Sequence, residues 1–540
     1  MPSLGVGRVP RSVPMSAGRI FKNSSSLAPT LMIQGTASSV GKSLLVGALG
    51  RIFTRRGLSV APFKAQNMAL NADVTPDGLE IGRAQSLQAR ACNQFPEVAM
   101  NPILIKPEAD DEAQIVVLGR SRGRASAMQY HQDKTELRAV VVDSLQDLRS
   151  RFDLIVIEGA GSPAEINLRD RDLVNMFVAH AVESPVLLAG DIDRGGVFAH
   201  LVGTLALLDP RDRSRVAGLI INKFRGDMAL LRPGLVDLER LSDRPVLGVV
   251  PYIPSLRLAD EDSLSFSQRN RQARARPDQI EIAILQFPLA SNMDDFDALA
   301  WEHDVVVRHI SHPAELEGAD LVVLPGSKAS VSDLDWLRES GLDVALIARA
   351  ARGEPILGVC GGCQILGEKI FDPLGIESSK RLPSEGQTGL GLLPLETHFE
   401  GTKCTRRVYA RAENTAGPWA PFTRASGYYI HAGRVRRVPG ASSTAWLEVR
   451  SEGEPRWERD GAVSVDASGH PVVFGTMLHG LFENETPRRN LLDFLASRRG
   501  RARQPGPSVP TIDQELDRIA DGVENALDMD ALERLVDAQR

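Results

Sequence analysis

A glycine-rich turn held between an apolar strand and a helix constrains this chain more than any other stretch. Leu31-Met-Ile runs into Gly35-Thr-Ala-Ser-Ser-Val-Gly41-Lys42-Ser43, and Leu44-Leu-Val-Gly-Ala-Leu follows. The backbone N–H groups of such a turn, with the positive end of the next helix, face a polyphosphate. Gly35, Thr36, Gly41, Lys42 and Ser43 are therefore the expected ATP contacts, with Lys42 as a mobile charge and Ser43 as a Mg2+ ligand. Five residues separate Gly35 from Gly41, one more than the strict spacing. The plainer alternative is a Ser/Gly turn before an ordinary helix.

Short apolar runs then alternate with helical segments: Leu31 to Gln34, Ser59 to Lys64, Asp153 to Glu158, Pro185 to Asp191, Val216 to Asn222 and Val246 to Val250. That order predicts a parallel sheet covered by helices, with ligands gathering at the carboxyl ends of its strands. The residues after each run are informative for that reason. Gln66 and Asn67 follow the second run as a candidate substrate loop, Glu158 ends the third, Asp191 and Asp193 end the fourth, and Asn222 ends the fifth. Mg2+ takes hard oxygen ligands shared with phosphates, so Ser43, Glu158 and Asp191 form the expected metal set. Asp193 joins the candidate substrate residues, and Asn222 is assigned to ATP as a partner for the purine edge. The competing reading makes these acids caps and Asn222 a turn residue.

A second alternating series starts at Ile280 to Phe287 and continues through Val305 to Ile310, Leu321 to Leu324, Pro355 to Val359 and Val472 to Phe474. Within it, Gly358-Val-Cys360-Gly361-Gly362-Cys363-Gln364 places a cysteine where a buried strand turns into a helix. A thiol there is presented on a sharp turn, and the helix dipole favours its thiolate. His479, after the last apolar run, is the expected base. Gly326, in Pro325-Gly-Ser-Lys, and Gly361 are the expected oxyanion donors. His431 is the rival base, and Cys360 with Cys363 also reads as a C-x-x-C redox pair or half a zinc site.

At 540 residues the chain divides into an N-terminal extension (1–29, read as disordered), a P-loop domain (30–258), a linker (259–279), a second α/β domain (280–500) and a helical tail (501–540). The extension superficially resembles an organellar transit peptide but lacks a secretory apolar core, and Met15 is an alternative start. The tail opens with a Thr511-x-x-Gln514 capping box. A net charge of −6 argues against nucleic-acid or anionic-membrane partners. Four cysteines are too few for a disulfide scaffold and fit a reducing cytoplasm. The oligomeric state is not legible.

Pro62-Phe-Lys-Ala-Gln-Asn-Met68, Glu158-Gly-Ala-Gly-Ser-Pro-Ala-Glu-Ile-Asn-Leu168, Gly190-Asp-Ile-Asp-Arg-Gly-Gly196 and Asn222-Lys-Phe-Arg-Gly226 together resemble the glutamine-hydrolysing cobyric acid synthase family over about residues 30 to 500 and the final helix. The phosphate loop and the Glu158 segment are similar to the dethiobiotin synthetase group. Gly358-x-Cys360-x-Gly362-x-Gln364 matches the class I glutamine amidotransferase elbow. The resemblance implies two α/β domains: an N-terminal P-loop parallel sheet of the dethiobiotin synthetase type, and a C-terminal class I amidotransferase. It implies Cys360 as nucleophile, His479 as its partner, and ATP-Mg2+ and glutamine as co-substrates. The reaction implied is amidation of the b, d, e and g carboxylates of adenosylcobyrinic acid a,c-diamide. The class I acid two residues after the His is Leu481 here, so a dyad is expected, with Glu483 as a candidate to orient His479. The family segment Gly-Tyr-Glu-Ile-His reads Gly427-Tyr-Tyr429-Ile-His431, and Cys363 is expected to be passive. The rival readings are the sibling a,c-diamide synthase, a partition-type ATPase and a thiol redox protein. The Ala65-Gln-Asn-Met loop argues against the first. Ala37, where a partition ATPase carries its signature lysine, argues against the second.

Overall fold

The structure is a computed structural model and describes residues 27–107, 112–126, 134–254, 256–257, 274–377, 382–412, 421–440, 444–467, 469–503, 506 and 509–540. Most of the expected N-terminal extension and most of the expected linker lie outside the described residues.

Alternation within Thr30–Gly35 decides the N-terminal architecture. Successive side chains of a strand point to opposite faces, so Leu31 and Ile33 enter one apolar layer and Met32 the other. All three are fully buried, as a central strand of a doubly covered sheet must be. The sheet has six strands in the order Val246–Pro251, Val216–Phe224, Val186–Asp191, Thr30–Gly35, Leu154–Glu158 and Val60–Phe63, all parallel. Helix α1 (Lys42–Arg55) follows the phosphate loop and covers the Leu31/Ile33 face.

The tail is not an appendage. It forms two helices, Ile512–Glu524 and Met529–Asp537, with the capping box at Thr511 and Gln514 formed. Ile519, Val523, Leu532 and Val536 are buried in the same layer as Leu31 and α1. Gln539 closes the contact: its side chain accepts from Thr30 N at 3.0 Å and donates to Thr30 O at 2.9 Å. The C-terminus thus completes the N-terminal core.

The strand Gln66–Met68 starts a second, smaller sheet, in the order Gln66–Met68, Ile103–Pro107, Glu112–Val117 and Arg120–Ser126. Between its first two strands lie a short hairpin (Ala72–Val74, Glu80–Gly82) and helix α2 (Arg83–Ala91).

The C-terminal sheet runs Val305–Ile310, Ile280–Leu285, Leu321–Leu324, Ile356–Val359, Pro471–Thr476 and Ala462–Val465, with only the last strand antiparallel. A mostly antiparallel sheet built on the long pair Leu395–Ala412 and Phe422–Arg437 lies beside it, with Lys369–Phe371 joining parallel to the first of these. Ala72, Val74, Leu104 and Val116 of the first unit pack against Tyr428 and Ile430 of the second, forming a small apolar seam between them. Among the described residues, no helix is long and apolar enough to cross a membrane.

Candidate active sites

Gly41 sits at φ 98°, and a side chain there would put its Cβ 2.3 Å from Asn222 Nδ2, so this turn closes only on glycine. No side chain caps the helix that begins at Lys42, which leaves its first-turn N–H groups to an anion. Lys42 Nζ donates to Ala37 O at 2.9 Å and to Gly161 O at 3.1 Å, folded back against the loop that follows the strand Leu154–Glu158. Thr36 donates its N–H to Ala189 O at 2.9 Å, which ties the loop to the neighbouring strand.

Ser43 and Glu158, expected in the metal set, do meet: Ser43 Oγ donates to Glu158 Oε1 at 2.8 Å. Lys64 Nζ donates to that same oxygen at 2.8 Å, and Gln88 Nε2 donates to Glu158 Oε2 at 2.5 Å. Gln88 also reaches Ser43 O at 3.2 Å. Hard oxygens from a hydroxyl and a carboxylate at the head of a phosphate loop suit Mg2+, which takes few protein ligands and shares the phosphates. Asp191 is placed differently from the expectation. Its Oδ2 pairs with Lys223 Nζ at 2.8 Å and lies 3.7 Å from Arg194 Nε, and its Oδ1 accepts from Asp193 N. Among the described residues, no group of three acid, histidine or cysteine side chains gathers around a cation position. Lys223 also donates to Ser39 O at 2.7 Å, so Asp191 steadies the loop through it.

Asn222, expected at the purine edge, is likewise a loop brace. Its amide donates to Val40 O at 2.8 Å, and its carbonyl accepts from Lys223 N at 2.9 Å. Of the candidate substrate residues, Asn67 is 2% exposed and donates to Gln85 Oε1, a structural position. Asp193 pairs with Arg225 at 3.1 Å. Gln66 lines a large cavity.

In the second unit, Cys360 has φ 49° and ψ −108°, a strained geometry that a sharp strand-to-helix turn imposes. The thiol is not held open to solvent, as expected from the turn alone: Cys360 is 6% exposed. Gly361 packs so closely on the next loop that a Cβ would fall 2.6 Å from Ser327 N. At Gly326 the corresponding atom would lie 3.3 Å from His479 Cε1. The elbow, the Gly326 turn and His479 therefore form one cluster.

His479 is buried beside Cys360. Its Nδ1 faces Asp295 Oδ2 at 2.6 Å, and Asp295 Oδ1 accepts from Gly480 N at 2.8 Å. Burial alone would lower the imidazole pKa, but the Asp295 carboxylate and Cys360 raise it to about 10. The ring stacks on Tyr428 at 5.3 Å, and the Tyr428 hydroxyl accepts from Asn292 Nδ2 at 2.7 Å. Asp295 thus stands where an acid would orient His479, a contact that the dyad reading did not include. It comes from the loop after the strand Ile280–Leu285. Glu483 does not fill that place, because it pairs with Arg83.

His431, the rival base, is turned elsewhere. Its Nδ1 faces Gly433 O at 2.7 Å, and burial lowers its pKa to about 4. Cys363 is fully buried, and burial raises its thiol well above the ordinary value, which fits a passive role and speaks against a redox pair.

Helix α2 touches both clusters. Gln88 holds Glu158, while Arg83 at its start pairs with Asp294 at 2.8 Å and Asp73 at 3.1 Å.

Two family models match the chain: a CobQ/CobB/MinD/ParA nucleotide-binding domain over residues 31–266 and a CobB/CobQ-like glutamine amidotransferase domain over 281–487. Similar full-length proteins carry the name cobyric acid synthase. The one from Sorangium cellulosum is 52% identical, covering 95% of this chain and 99% of that protein. The one from Klebsiella pneumoniae is 48% identical over 87% and 90%, and the one from Nocardia farcinica 46% over 94% and 96%.

Proposed function

This chain belongs to the cobyric acid synthase family of glutamine-dependent amidating ligases in cobalamin biosynthesis, and from that premise we propose that it converts adenosylcobyrinic acid a,c-diamide to adenosylcobyric acid by amidating carboxylates b, d, e and g. The observation that supports this best is the pairing in one chain of a phosphate loop, with Ser43 and Glu158 at its head, and a Cys360–His479–Asp295 cluster across a shared apolar seam. One site makes ammonia, and the other activates its acceptor.

In the glutaminase half, Cys360 Sγ attacks the glutamine carboxamide carbon, and the N–H groups of Gly326 and Gly361 face the oxyanion. His479 gives the proton to the departing ammonia, with Asp295 holding Nδ1 and stabilising the imidazolium. Water then cleaves the thioester, giving glutamate and restoring the thiol.

In the synthetase half, a corrinoid carboxylate attacks the γ-phosphorus of ATP and ADP leaves, giving an acyl phosphate. Ammonia adds to the acyl carbon and phosphate departs, leaving the amide. Hydroxide is a poor leaving group and phosphate a good one, which is the reason for using ATP. Lys42 and the N–H groups of the loop bind the phosphates. Ser43 and Glu158 would hold Mg2+, which neutralises phosphate charge. Transfer across the seam keeps ammonia unprotonated and nucleophilic. The four unpaired cysteines support a reducing, cytoplasmic setting.

The test is mass spectrometry of the a,c-diamide incubated with Mg-ATP and glutamine, beside Cys360→Ala supplied with glutamine or with ammonia. Four successive amidations, lost in the variant with glutamine and restored by ammonia, are expected. An unchanged corrinoid in the wild-type reaction would overturn the substrate assignment.

A further inference from the structure

Next to the phosphate loop lies a cavity of about 1100 Å3, larger than the usual range of roughly 300–1,000 Å3 for drug-sized ligands. Its inner end is formed by Ala160, Gly161 and Ser162, and Gly161 O is the acceptor of Lys42 Nζ. Whatever fills the cavity therefore lies against the residue whose carbonyl holds Lys42.

One wall comes from the small sheet, through Met68, Ile105 and Ile115. The facing wall is the segment from Ala160 to Phe177, including the helical turn Ile166–Arg171. None of the residues of that turn is buried, although it carries Leu168 at 45% exposure. Met68, from the small sheet, is 58% exposed. Single exposed apolar side chains are ordinary, but two large ones on separate elements lining a single cavity mark a surface that an apolar ligand covers.

The lining is of mixed charge, with Glu165, Asp170, Asp172, Asp209 and Asp212 beside Arg138, Arg169, Arg171 and Arg211. Asp172 is consumed internally, accepting the N–H groups of Val174, Asn175 and Phe177 at 2.8–2.9 Å, and Asp212 is paired with His180 at 2.7 Å. Arg138 lies over the Phe177 ring at 5.0 Å; one Nη donates to Asp170 O at 3.3 Å and Asp172 O at 3.4 Å, while its Nε is buried with no partner among the described residues. Arg169 donates one Nη to Leu207 O at 2.7 Å and lies 3.9 Å from Asp209, and Arg171 and Arg211 add guanidinium groups to the lining. A guanidinium fork is matched to carboxylate.

We propose that this cavity is the corrinoid site: Met68 and Leu168 cover the two faces of the macrocycle, and Arg138 and Arg169 hold peripheral carboxylates that are not reacting. The assignment rests on the function proposed above and deepens it. It also accounts for four reactions at one γ-phosphate. Apolar contact has no direction, so the macrocycle can turn against these walls and present one carboxylate after another, whereas a hydrogen-bonded slot would fix one orientation. The guanidinium groups grip whichever acid groups face away from Gly161.

The test is corrinoid kinetics of Leu168→Asp beside Leu168→Met, following successive amidations by mass spectrometry, together with equilibrium dialysis of the a,c-diamide in the absence of ATP and glutamine. Leu168 is 45% exposed and belongs to none of the apolar layers of the fold, and unmoved KM values for ATP and glutamine report that the variant is folded. Leu168→Asp is expected to weaken dialysis binding and raise the corrinoid KM by about tenfold or more, with Leu168→Met affected less than Leu168→Asp and the KM values for glutamine and ATP unmoved. Arg138→Met is expected to change which carboxylates are amidated first. If the wild type amidates the diamide while Leu168→Asp binds it as tightly, the cavity assignment is overturned and the proposed function stands. If the wild type binds the diamide in a Leu168-dependent way but never amidates it, the cavity assignment stands and the proposed function fails.

Discussion

Arg83 and Gln88 stand on the same helix, about 7.5 Å apart along its axis, and each holds a carboxylate at a different candidate site, Arg83 beside the His479 cluster and Gln88 at the phosphate loop. Arg83 pairs with Asp294, the neighbour of Asp295 that faces His479. Gln88 donates to Glu158, the acid that faces Ser43. A short helix moves as a unit, so a load on Glu158 is felt at the loop that positions His479. Mg-ATP is expected to stimulate glutamine hydrolysis by the wild type about fivefold or more, the range of ordinary coupling energies. In Arg83→Ala the ratio of rates with and without Mg-ATP should fall to about one, with Arg83→Lys partly restoring it. Ammonia-driven amidation serves as the folding control. An unchanged ratio in Arg83→Ala would make the ion pairs purely structural.

Asp295 is expected to set the pH range of glutamine hydrolysis. Burial opposes the charged imidazole of His479, but the Asp295 carboxylate together with Cys360 outweighs it and raises that pKa to about 10, and the protonated form is the one that would deliver a proton to ammonia. Imidazolium persists below the pKa and is lost above it, so the wild-type rate should hold into the alkaline range. In Asp295→Asn the pKa falls and the alkaline limb should move toward neutrality. At pH 8 to 9 the loss in kcat/KM for glutamine is expected to be on the order of 100-fold, shrinking as the pH is lowered. A parallel drop at all pH values, with the limb unmoved, would assign Asp295 a positioning role without the electrostatic one.

The phosphate loop and the elbow were legible because their chemistry is local: strand, turn and helix lie within about a dozen residues, and the glycines name the turn. Asp295 was not, since it reaches His479 from 184 positions away. The one available signal was its place after an apolar run, at the same strand ends where the other candidates gather, in the acidic stretch Asp294-Asp295-Phe-Asp297. Asn222, Asp191 and Asn67 have the right residue types in the right loops, yet their side chains are used to brace those loops, and sequence does not tell a brace from a ligand. The small sheet starting at Gln66 and the long pair Leu395–Ala412 with Phe422–Arg437 escaped the reading because charged residues interrupt their apolar alternation.

Gly41 offers a clean separation of the two halves. With φ 98° and Asn222 Nδ2 only 2.3 Å from where a Cβ would sit, Gly41→Ala must displace the brace and open the turn. Amidation with either glutamine or ammonia should fall at least 100-fold and ATP binding by calorimetry should be lost. Glutamine hydrolysis without ATP should continue, because Cys360, His479 and Asp295 belong to the other unit. Equal loss of both activities would mean that the loop supports the whole fold.

The C-terminal tail allows its apolar and ionic contacts to be weighed against each other. Arg51, Arg55 and Arg56 of α1 face Asp517, Asp521, Glu524 and Glu533 of the tail, and most of these side chains are a third or more exposed. Solvent-exposed ion pairs are worth about 0–1 kcal/mol each, and Asp517→Ala should change stability within that range. Leu532 is fully buried against the layer that holds Leu31 and α1, and truncation there removes contacts and leaves a void, costing about 2–5 kcal/mol. At roughly 2–4 °C per kcal/mol for a unit of this size, Leu532→Ala should lower the melting of the nucleotide-binding unit by about 4–20 °C. Calorimetry should show that transition moving while the amidotransferase unit melts where it did, and Mg-ATP should shift the same transition upward. The ordering is the test: if Asp517→Ala costs more than Leu532→Ala, the tail is held by charge and its stability should fall with added salt, whereas attachment through Leu532 is nearly insensitive to salt.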